Sequence, residues 1–392
     1  MPEARLASKS YLVAAVGAML LPAAWSMVFV WMAFRSDESK RALTWFNYLR
    51  RMRVLNLLTI PAWWSLFDWL ADSGRPGGFI PDWPGCVLFI LPLTFGVASG
   101  RLVSVWSGVN FTDHRWTIVD KLRLVLWVTL SSTVPMLLFA TGLDAVGDHK
   151  MTSLFWIVLA ATVGVVARLG LRAAEGLKPR AVKSGELFKR SYAMAKRNGV
   201  PLRGVFVVPT GRGRLLNAYT WGNRIGMADV CVHWTHGAQL DFLIGHELAH
   251  LRRGHALKGQ VLDIAFYLGV ALLAFFVPHS SPAWSIQFKF GAILIPVLAS
   301  RFVSRRFEFE ADRVAVEYTR DFEAAMRALV NLYRRAEMPG ACAEFYEIFQ
   351  THPSLWRRID AIARVGRVRT SFVAGLRTQF NDKASDLPSE AG

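Results

Sequence analysis

The sequence predicts a mainly α-helical, multi-pass membrane protein that carries one more polar domain with a small β-sheet. Of its 392 residues, 53% are apolar and only 19% are charged, whereas soluble domains carry about a quarter charged residues. The apolar residues form long uncharged runs in the first half, and from about residue 185 the pattern changes to that of a folded domain. This composition excludes a disordered chain and argues against an ordinary cytosolic enzyme.

Five apolar segments in the first 167 residues are predicted to cross the membrane. The first, Ser10–Phe34, has 25 residues without a charge, and a hydrocarbon core requires roughly 20. Its length favours a retained span over a cleaved signal peptide. The other four are Val54–Ala71, Gly85–Val109, Leu124–Leu143 and Met151–Ala167. Two shorter stretches, Ile264–Pro278 and about Ile286–Phe302, are tilted spans, a hairpin that dips into the bilayer, or buried helices.

The basic residues orient these spans. The segments Arg35–Arg53 and Arg168–Arg203 have net charges of +4 and +8, whereas loops 72–84 and 144–150 are each −1. Because basic loops remain on the cytoplasmic side, the domain after the fifth span is predicted to be cytoplasmic. Much of the net charge of +17 therefore sets topology and attracts anionic lipid, and nucleic acid is not an expected partner.

The chain is accordingly divided into three parts. Residues 1–172 form an N-terminal transmembrane region of about five spans. Residues 173–372 form the more polar domain, which includes a hydrophobic hairpin at about 262–303, and residues 373–392 form a polar C-terminal tail.

Periodicity within the polar domain predicts two helices and three strands. The helices are Glu186–Asn198, which is amphipathic and ends at an Asn-Gly pair, and Gln239 to about Lys258. The strands are Val205–Pro209, Leu216–Trp221 and Asp229–Trp234, which are rich in β-branched and aromatic residues.

The second helix contains the strongest chemical signal of the chain. Its sequence HELAH runs from His246 to His250. Residues four apart share one face of a helix, so both imidazoles can reach one metal ion, and Glu247 lies close enough to hold a water on that ion. The pattern predicts a zinc site in a zincin-type catalytic domain.

A catalytic zinc site also needs a third protein ligand and an open position. Glu308 and Asp312, in the segment SRRFEFEAD, are one helical turn apart. One of them can bind the metal while the other accepts a hydrogen bond from a ligand imidazole. Glu310 points elsewhere and is expected to be a solvated or paired charge. Two histidines are weaker candidates for the third ligand: His236 and His255.

These motifs resemble those of the membrane zinc metallopeptidases of the HtpX and CAAX prenyl endopeptidase family. The segment LLNAYTWG, Leu215–Gly222, resembles the family's Asn-Ala edge strand, and THPSLWRRI, Thr351–Ile359, resembles its late His-Pro element. With HELAH and SRRFEFEAD, they cover about residues 185–362 in a consistent order. The five predicted spans before the catalytic helix are more similar to the prenyl-protein peptidase branch of this family than to its shorter HtpX branch.

The resemblance implies an integral membrane, zinc-dependent endopeptidase with one Zn²⁺ per chain. It implies that His246, His250 and Glu308 are the zinc ligands and that Glu247 is the general base. Asp312 is then the hydrogen-bonding support of a ligand imidazole.

For the substrate, the resemblance implies that Asn217 and Ala218 bind a peptide along the edge strand and that His352 donates to the oxyanion. The expected partners are the lipid bilayer and protein or peptide substrates that are membrane-associated, misfolded or lipidated.

Two alternatives retain the metal site without peptidase activity. The intact Glu247 argues against an inactive membrane scaffold, and the lack of evident paired charges in the spans argues against a transporter.

Overall fold

The computed structural model describes residues 2–36, 179–209, 218–276, 286–336 and 338–381, with scattered positions between 44 and 162. The chain divides into two compact units. One comprises Met1–Leu177 and Leu262–Ala299, and the other comprises Lys178–Val261 and Ser300–Gly392.

The described segments are mainly helical, with a small mixed sheet. The helices are α1 (Pro2–Phe34), α2 (Glu186–Arg197), α3 (Asp229–Trp234), α4 (Gly237–Arg253), α5 (His255–Phe276), α6 (Ile286–Thr319), α7 (Phe322–Arg335), α8 (Glu344–Glu347), α9 (Leu355–Gly366) and α10 (Thr370–Asn381). The strands are β1 (Arg180–Ala181), β2 (Gly204–Val208), β3 (Ala218–Trp221) and β4 (Arg224–Ala228).

Helix α1 contains the first predicted span. Its segment Leu12–Phe34 is 23 residues long with a mean hydropathy of 2.0, and within the described residues it is the one helix long and apolar enough to cross a bilayer. The four further spans predicted between residues 54 and 167 lie outside the described residues, apart from isolated positions.

Helices α5 and α6 carry the two weaker apolar stretches of the sequence. Helix α5 covers its stretch from Ile264 to Phe276, and α6 begins at Ile286 and runs through the second stretch. Several large apolar side chains of α5 are exposed, among them Val261, Ile264 and Leu268. Exposed apolar surfaces of this kind are typical of contacts with lipid or with another protein.

The sheet has the strand order β1-β2-β4-β3. Strands β1 and β2 are antiparallel, β2 and β4 are parallel, and β3 and β4 are antiparallel. Strand β3 therefore lies at an edge, as predicted for Leu216–Trp221, although the described strand begins at Ala218.

The prediction of a strand at Asp229–Trp234 was wrong, since this segment is helix α3. The third strand of the motif is β4, directly before it. Gly222, with a φ of +54°, begins a two-residue turn that pairs Trp221 with Arg224, so β4 starts immediately after β3. Alternation over six residues does not distinguish a strand from a partly buried helix.

The helix predicted from Gln239 to about Lys258 is in fact two helices. Helix α4 ends at Arg253 because Gly254 adopts a left-handed conformation with a φ of +63°, which glycine tolerates at low cost. Helix α5 then begins at His255. The turn brings His255 back beside the HELAH segment.

The polar tail predicted from residue 373 begins later than expected. Helix α10 continues to Asn381, and its Leu376 is buried in the cluster formed by α7 and α9. Phe372 and Phe380 pack against the same cluster. These apolar side chains recur along one face of the helix, which explains why it packs as part of the domain.

Helix α4 is packed on two sides. Leu240, Ile244 and Leu248 join a buried cluster with residues of the sheet and α2, whereas Phe242 joins the cluster of α7 and α9. Gly245 permits close approach to α6, since a Cβ atom there would lie 3.3 Å from the Cα of Ala315. This packing holds the HELAH motif against α6.

Candidate metal centre

Three side chains from α4 and α6 converge on one point. Nε2 of His246 lies 3.6 Å from Oε2 of Glu308, and Nε2 of His250 lies 3.5 Å from Oε1 of Glu308. The two Nε2 atoms are 3.1 Å apart, and all three potential ligand atoms lie within 4.8 Å of one another. The structure thus brings together the three residues predicted as zinc ligands.

The chemistry of this group fits a zinc ion. Two imidazole nitrogens and one carboxylate oxygen form a ligand set found in catalytic zinc sites. Glu308 is buried, and its Oε2 atom has no hydrogen-bond partner within the part of the chain that the structure describes. A buried carboxylate oxygen is costly unless it is paired or binds a metal, so a cation would satisfy it.

Asp312 supports His246 from behind. Its Oδ1 lies 3.0 Å from Nδ1 of His246, on the side of the ring opposite to Glu308. Burial opposes a charge on His246, but the carboxylates of Asp312 and Glu308 raise its pKa to about 10. Metal binding at Nε2 therefore requires the release of a proton.

Arg358 holds Asp312 in this position. Its Nε and Nη2 atoms donate to the two oxygens of Asp312 at 2.7 and 2.6 Å, and its Nη1 lies 3.9 Å from Oε2 of Glu308. Burial alone disfavours ionisation of Asp312, yet Arg358 keeps the pKa of this carboxyl below its usual value. The bidentate pair fixes an anion behind the ligand imidazole.

Glu247 is buried next to the ligand group. It lies on α4 between the two histidines and is only 6% exposed. Burial raises the pKa of Glu247 to about 7. A carboxyl group with a pKa in this range can both accept and return a proton near neutral pH.

His352 approaches the group from the loop between α8 and α9. Its Nε2 lies 3.5 Å from Oε1 of Glu308, while 57% of its side chain is exposed. The loop is anchored by Arg305, whose Nη1 donates to the carbonyl oxygens of Glu347, Ile348 and Gln350. His352 therefore reaches the ligand group from the solvent side.

The remaining candidates occupy other positions. His236 directly precedes α4 and is not among the three converging residues. His255 lies behind His250, and Glu310 pairs with Arg253 and His255, as expected for a paired charge. Ala218 is the first residue of β3. Asn217 lies outside the described residues.

The sequence patterns assign no role to Arg358, and they offer His255 only as a weaker candidate for the third ligand. The signal for Arg358 was indirect, because a buried Asp312 requires a compensating cation. The sequence offers Arg357 and Arg358 side by side, and only the packing of α9 shows which of them is buried.

Comparisons with known proteins agree with this geometry. Residues 182–365 match the family described as Peptidase family M48. The chain is 31% identical over 159 residues to the CAAX prenyl protease 1 homolog of Dictyostelium discoideum, across 34% of this chain and 37% of that protein. It is 29% identical over 134 residues to the human mitochondrial metalloendopeptidase OMA1, across 32% of this chain and 25% of that protein. These matches span between a quarter and two fifths of the relatives' own lengths.

The fold is similar to that of a solved crystal structure. The crystal structure of S. mikatae Ste24p aligns with a TM-score of 0.52, covering 91% of this chain and 98% of that chain at 15% sequence identity. At this identity the likeness concerns the fold alone. Residues 182–365, which contain the converging HELAH and Glu308 side chains, therefore form a domain similar to peptidase family M48, of the HtpX and CAAX prenyl protease type that the sequence motifs resemble.

Proposed function

We propose that this chain is an integral membrane, zinc-dependent endopeptidase that cleaves membrane-associated, misfolded or lipidated proteins. The observation that carries this proposal is the convergence of His246, His250 and Glu308 with the buried Glu247 beside them. The relative titled CAAX prenyl protease 1 homolog supports lipidated proteins as one substrate class. The apolar segments of α1 and α5 support a membrane location.

The ligand residues would hold one Zn²⁺ per chain. When bound, zinc polarises a carbonyl group and makes water more acidic. Glu247 accepts the proton of the attacking water and later passes it to the leaving amine. Its raised pKa of about 7 suits both transfers.

His352 supplies a hydrogen bond to the developing oxyanion. Its Nδ1 lies 2.9 Å from the hydroxyl oxygen of Thr351. When this hydroxyl donates its hydrogen to Nδ1, the neutral ring carries its proton on Nε2. Nε2 is the atom that faces Glu308. A donor placed in this way stabilises negative charge that forms only during the reaction.

The substrate is held in an extended conformation along β3. This strand lies at the edge of the sheet, where a peptide can add as a further strand through backbone hydrogen bonds. Ala218 belongs to the strand, and the side chain of Asn217 bonds to the substrate backbone. Binding of this kind is tolerant of sequence, which suits an enzyme that acts on many unfolded segments.

The test compares purified wild-type protein with Glu247→Gln and with the matched control Glu317→Gln. Glu317 is an exposed residue of α6 that pairs with Arg313. We expect Glu247→Gln to retain stoichiometric zinc while its cleavage of an unfolded polypeptide and of a lipidated peptide falls by about 10²–10⁴-fold. The control should cleave like the wild type. Full activity in Glu247→Gln would refute the proposal.

A further inference from the structure

We propose that His255 and Glu310 are positioning residues for the metal ligand His250. They form a second hydrogen-bonded chain that orients His250 in the way that Asp312 orients His246. This inference rests on the proposed zinc site and extends it by two residues.

The chain of contacts is continuous from ligand to carboxylate. Nδ1 of His250 lies 2.9 Å from Nδ1 of His255. On the far side of that ring, Nε2 of His255 lies 3.2 Å from Oε2 of Glu310. Both ring nitrogens of His255 are thus directed at partners other than the group of three ligand atoms, which excludes His255 as the third ligand in this arrangement.

The direction of the hydrogen bonds follows from the acceptor at the end. An ionised carboxylate only accepts, so Nε2 of His255 donates to Glu310 and carries the ring proton. Nδ1 of His255 then has a free lone pair and accepts from Nδ1–H of His250. The remaining nitrogen of His250, Nε2, is left with its lone pair toward Glu308, which is the form that binds a metal.

Several contacts fix His255 in this place. The side chain is 3% exposed, and its ring stacks on Phe307 with a centroid distance of 4.3 Å and an interplanar angle of 7°. The left-handed Gly254 ends α4 directly before it. The ring therefore has little freedom to turn away from His250.

Similar carboxylate–arginine pairs lie behind the two ligand histidines. Behind His246, the carboxylate of Asp312 is held by Arg358 at 2.6 Å. Behind His255, the carboxylate of Glu310 is held by Arg253, whose Nε lies 3.0 Å from Oε1. Each ligand imidazole thus leads to a carboxylate that an arginine orients, directly in one case and through a second imidazole in the other.

The experiment measures zinc affinity on the full-length protein by competition with a chromophoric chelator, and the absorption spectrum after substitution with Co²⁺. The variants are His255→Phe, His255→Asn, Glu310→Gln and the double variant His255→Asn with Glu310→Gln. Glu317→Gln is the matched surface control on α6, and Glu308→Ala is the reference for a lost ligand.

We expect His255→Phe and Glu310→Gln to weaken zinc binding by about 10–100-fold and to shift the cobalt spectrum. His255→Asn should recover part of this loss, because its side-chain oxygen can take the place of Nδ1 as acceptor. Since asparagine does not reach Glu310, adding Glu310→Gln to His255→Asn should have no further effect. Glu317→Gln should match the wild type.

The outcomes separate this inference from the proposed function. If Glu308→Ala loses zinc while Glu310→Gln and His255→Asn bind it like the wild type with unchanged cobalt spectra, the positioning role is overturned and the zinc site stands. If Glu308→Ala also keeps its zinc, the proposed site itself fails. Should His255→Phe fail to fold, the partly exposed Glu310→Gln and the polar His255→Asn still decide the matter.

Discussion

At the scale of single residues, Asp312 and Arg358 form a buried ion pair within the site. Both side chains are withdrawn from water and meet through two hydrogen bonds. Such a pair adds little net stability by itself, but removing one partner leaves an uncompensated buried charge. The pair instead fixes the carboxylate of Asp312, which accepts the hydrogen bond from Nδ1 of His246.

Arg358→Ala should therefore destabilise the fold by about 3–5 kcal/mol and weaken zinc binding. The control is Arg364→Ala, an exposed arginine on the same helix α9. Denaturant unfolding and chelator competition measure the two effects. Unchanged stability and zinc affinity in Arg358→Ala would show that Asp312 does not depend on this arginine.

His352 lies on the solvent side of the group, and its side chain is more than half exposed. We therefore expect His352→Ala to fold normally and to keep its zinc, while kcat falls by about 10²–10³-fold through loss of an oxyanion donor. Steady-state kinetics and metal analysis check this. Loss of zinc from the variant would contradict the assigned role and indicate a ligand instead.

The ligand set was accessible to sequence reasoning because it depends on local spacing. His246 and His250 share a helix face, and so do Glu308 and Asp312. The spacing alone left the choice between Glu308 and Asp312 open. Geometry now shows Glu308 facing both Nε2 atoms and Asp312 behind His246.

At the scale of elements, the distance between α4 and α6 determines whether the ligands meet. Gly245 precedes the first ligand histidine and faces Ala315 across the helix contact. A larger side chain in a packed position forces neighbouring elements apart. The absence of a Cβ at Gly245 thus allows α4 and α6 to approach closely enough for their ligand side chains to meet.

Gly245→Val should lower stability by about 1–3 kcal/mol and reduce zinc affinity, because α4 moves away from α6. Gly259→Ala is the matched control, since an added Cβ there meets no atom within 4 Å. That substitution should be neutral or stabilising, given the higher helix propensity of alanine. Thermal unfolding and zinc titration of both variants decide whether the close approach matters.

The elements that sequence reasoning missed depend on backbone turns. Gly222 and Gly254 both adopt positive φ values, one to begin the hairpin into β4 and the other to separate α4 from α5. Hydrophobic periodicity continues across the second turn, so it predicted one longer helix. The position of His255 beside His250 follows from that turn and was therefore not predicted.

At the scale of the whole molecule, one topological condition follows from a shared metal ion. His250 and Glu308 lie on either side of residues 262–299, which belong to the other compact unit. An even number of membrane crossings must separate the two ligands if both bind the same ion. The basic segments that follow the first and fifth predicted spans predict that this side is cytoplasmic.

Cysteine-accessibility labelling tests this topology. Ser184 and Thr370 are exposed residues on opposite sides of the hairpin in sequence, and each is replaced by cysteine in a background lacking Cys86 and Cys342. We expect both to be labelled only from the cytoplasm. Gly77→Cys, in a loop predicted to be external, serves as the opposite-side control. Labelling of positions 184 and 370 from different faces would exclude a shared site.

In the proposed site, two histidines and Glu308 hold one zinc ion within the M48-like domain. The most direct measurement is the zinc content and affinity of the purified wild type, Glu308→Ala and Asp312→Ala. We expect one zinc per chain in the wild type and no stoichiometric zinc in Glu308→Ala. Asp312→Ala should retain zinc with about 10–100-fold weaker affinity. Wild-type zinc affinity in Glu308→Ala would contradict the account.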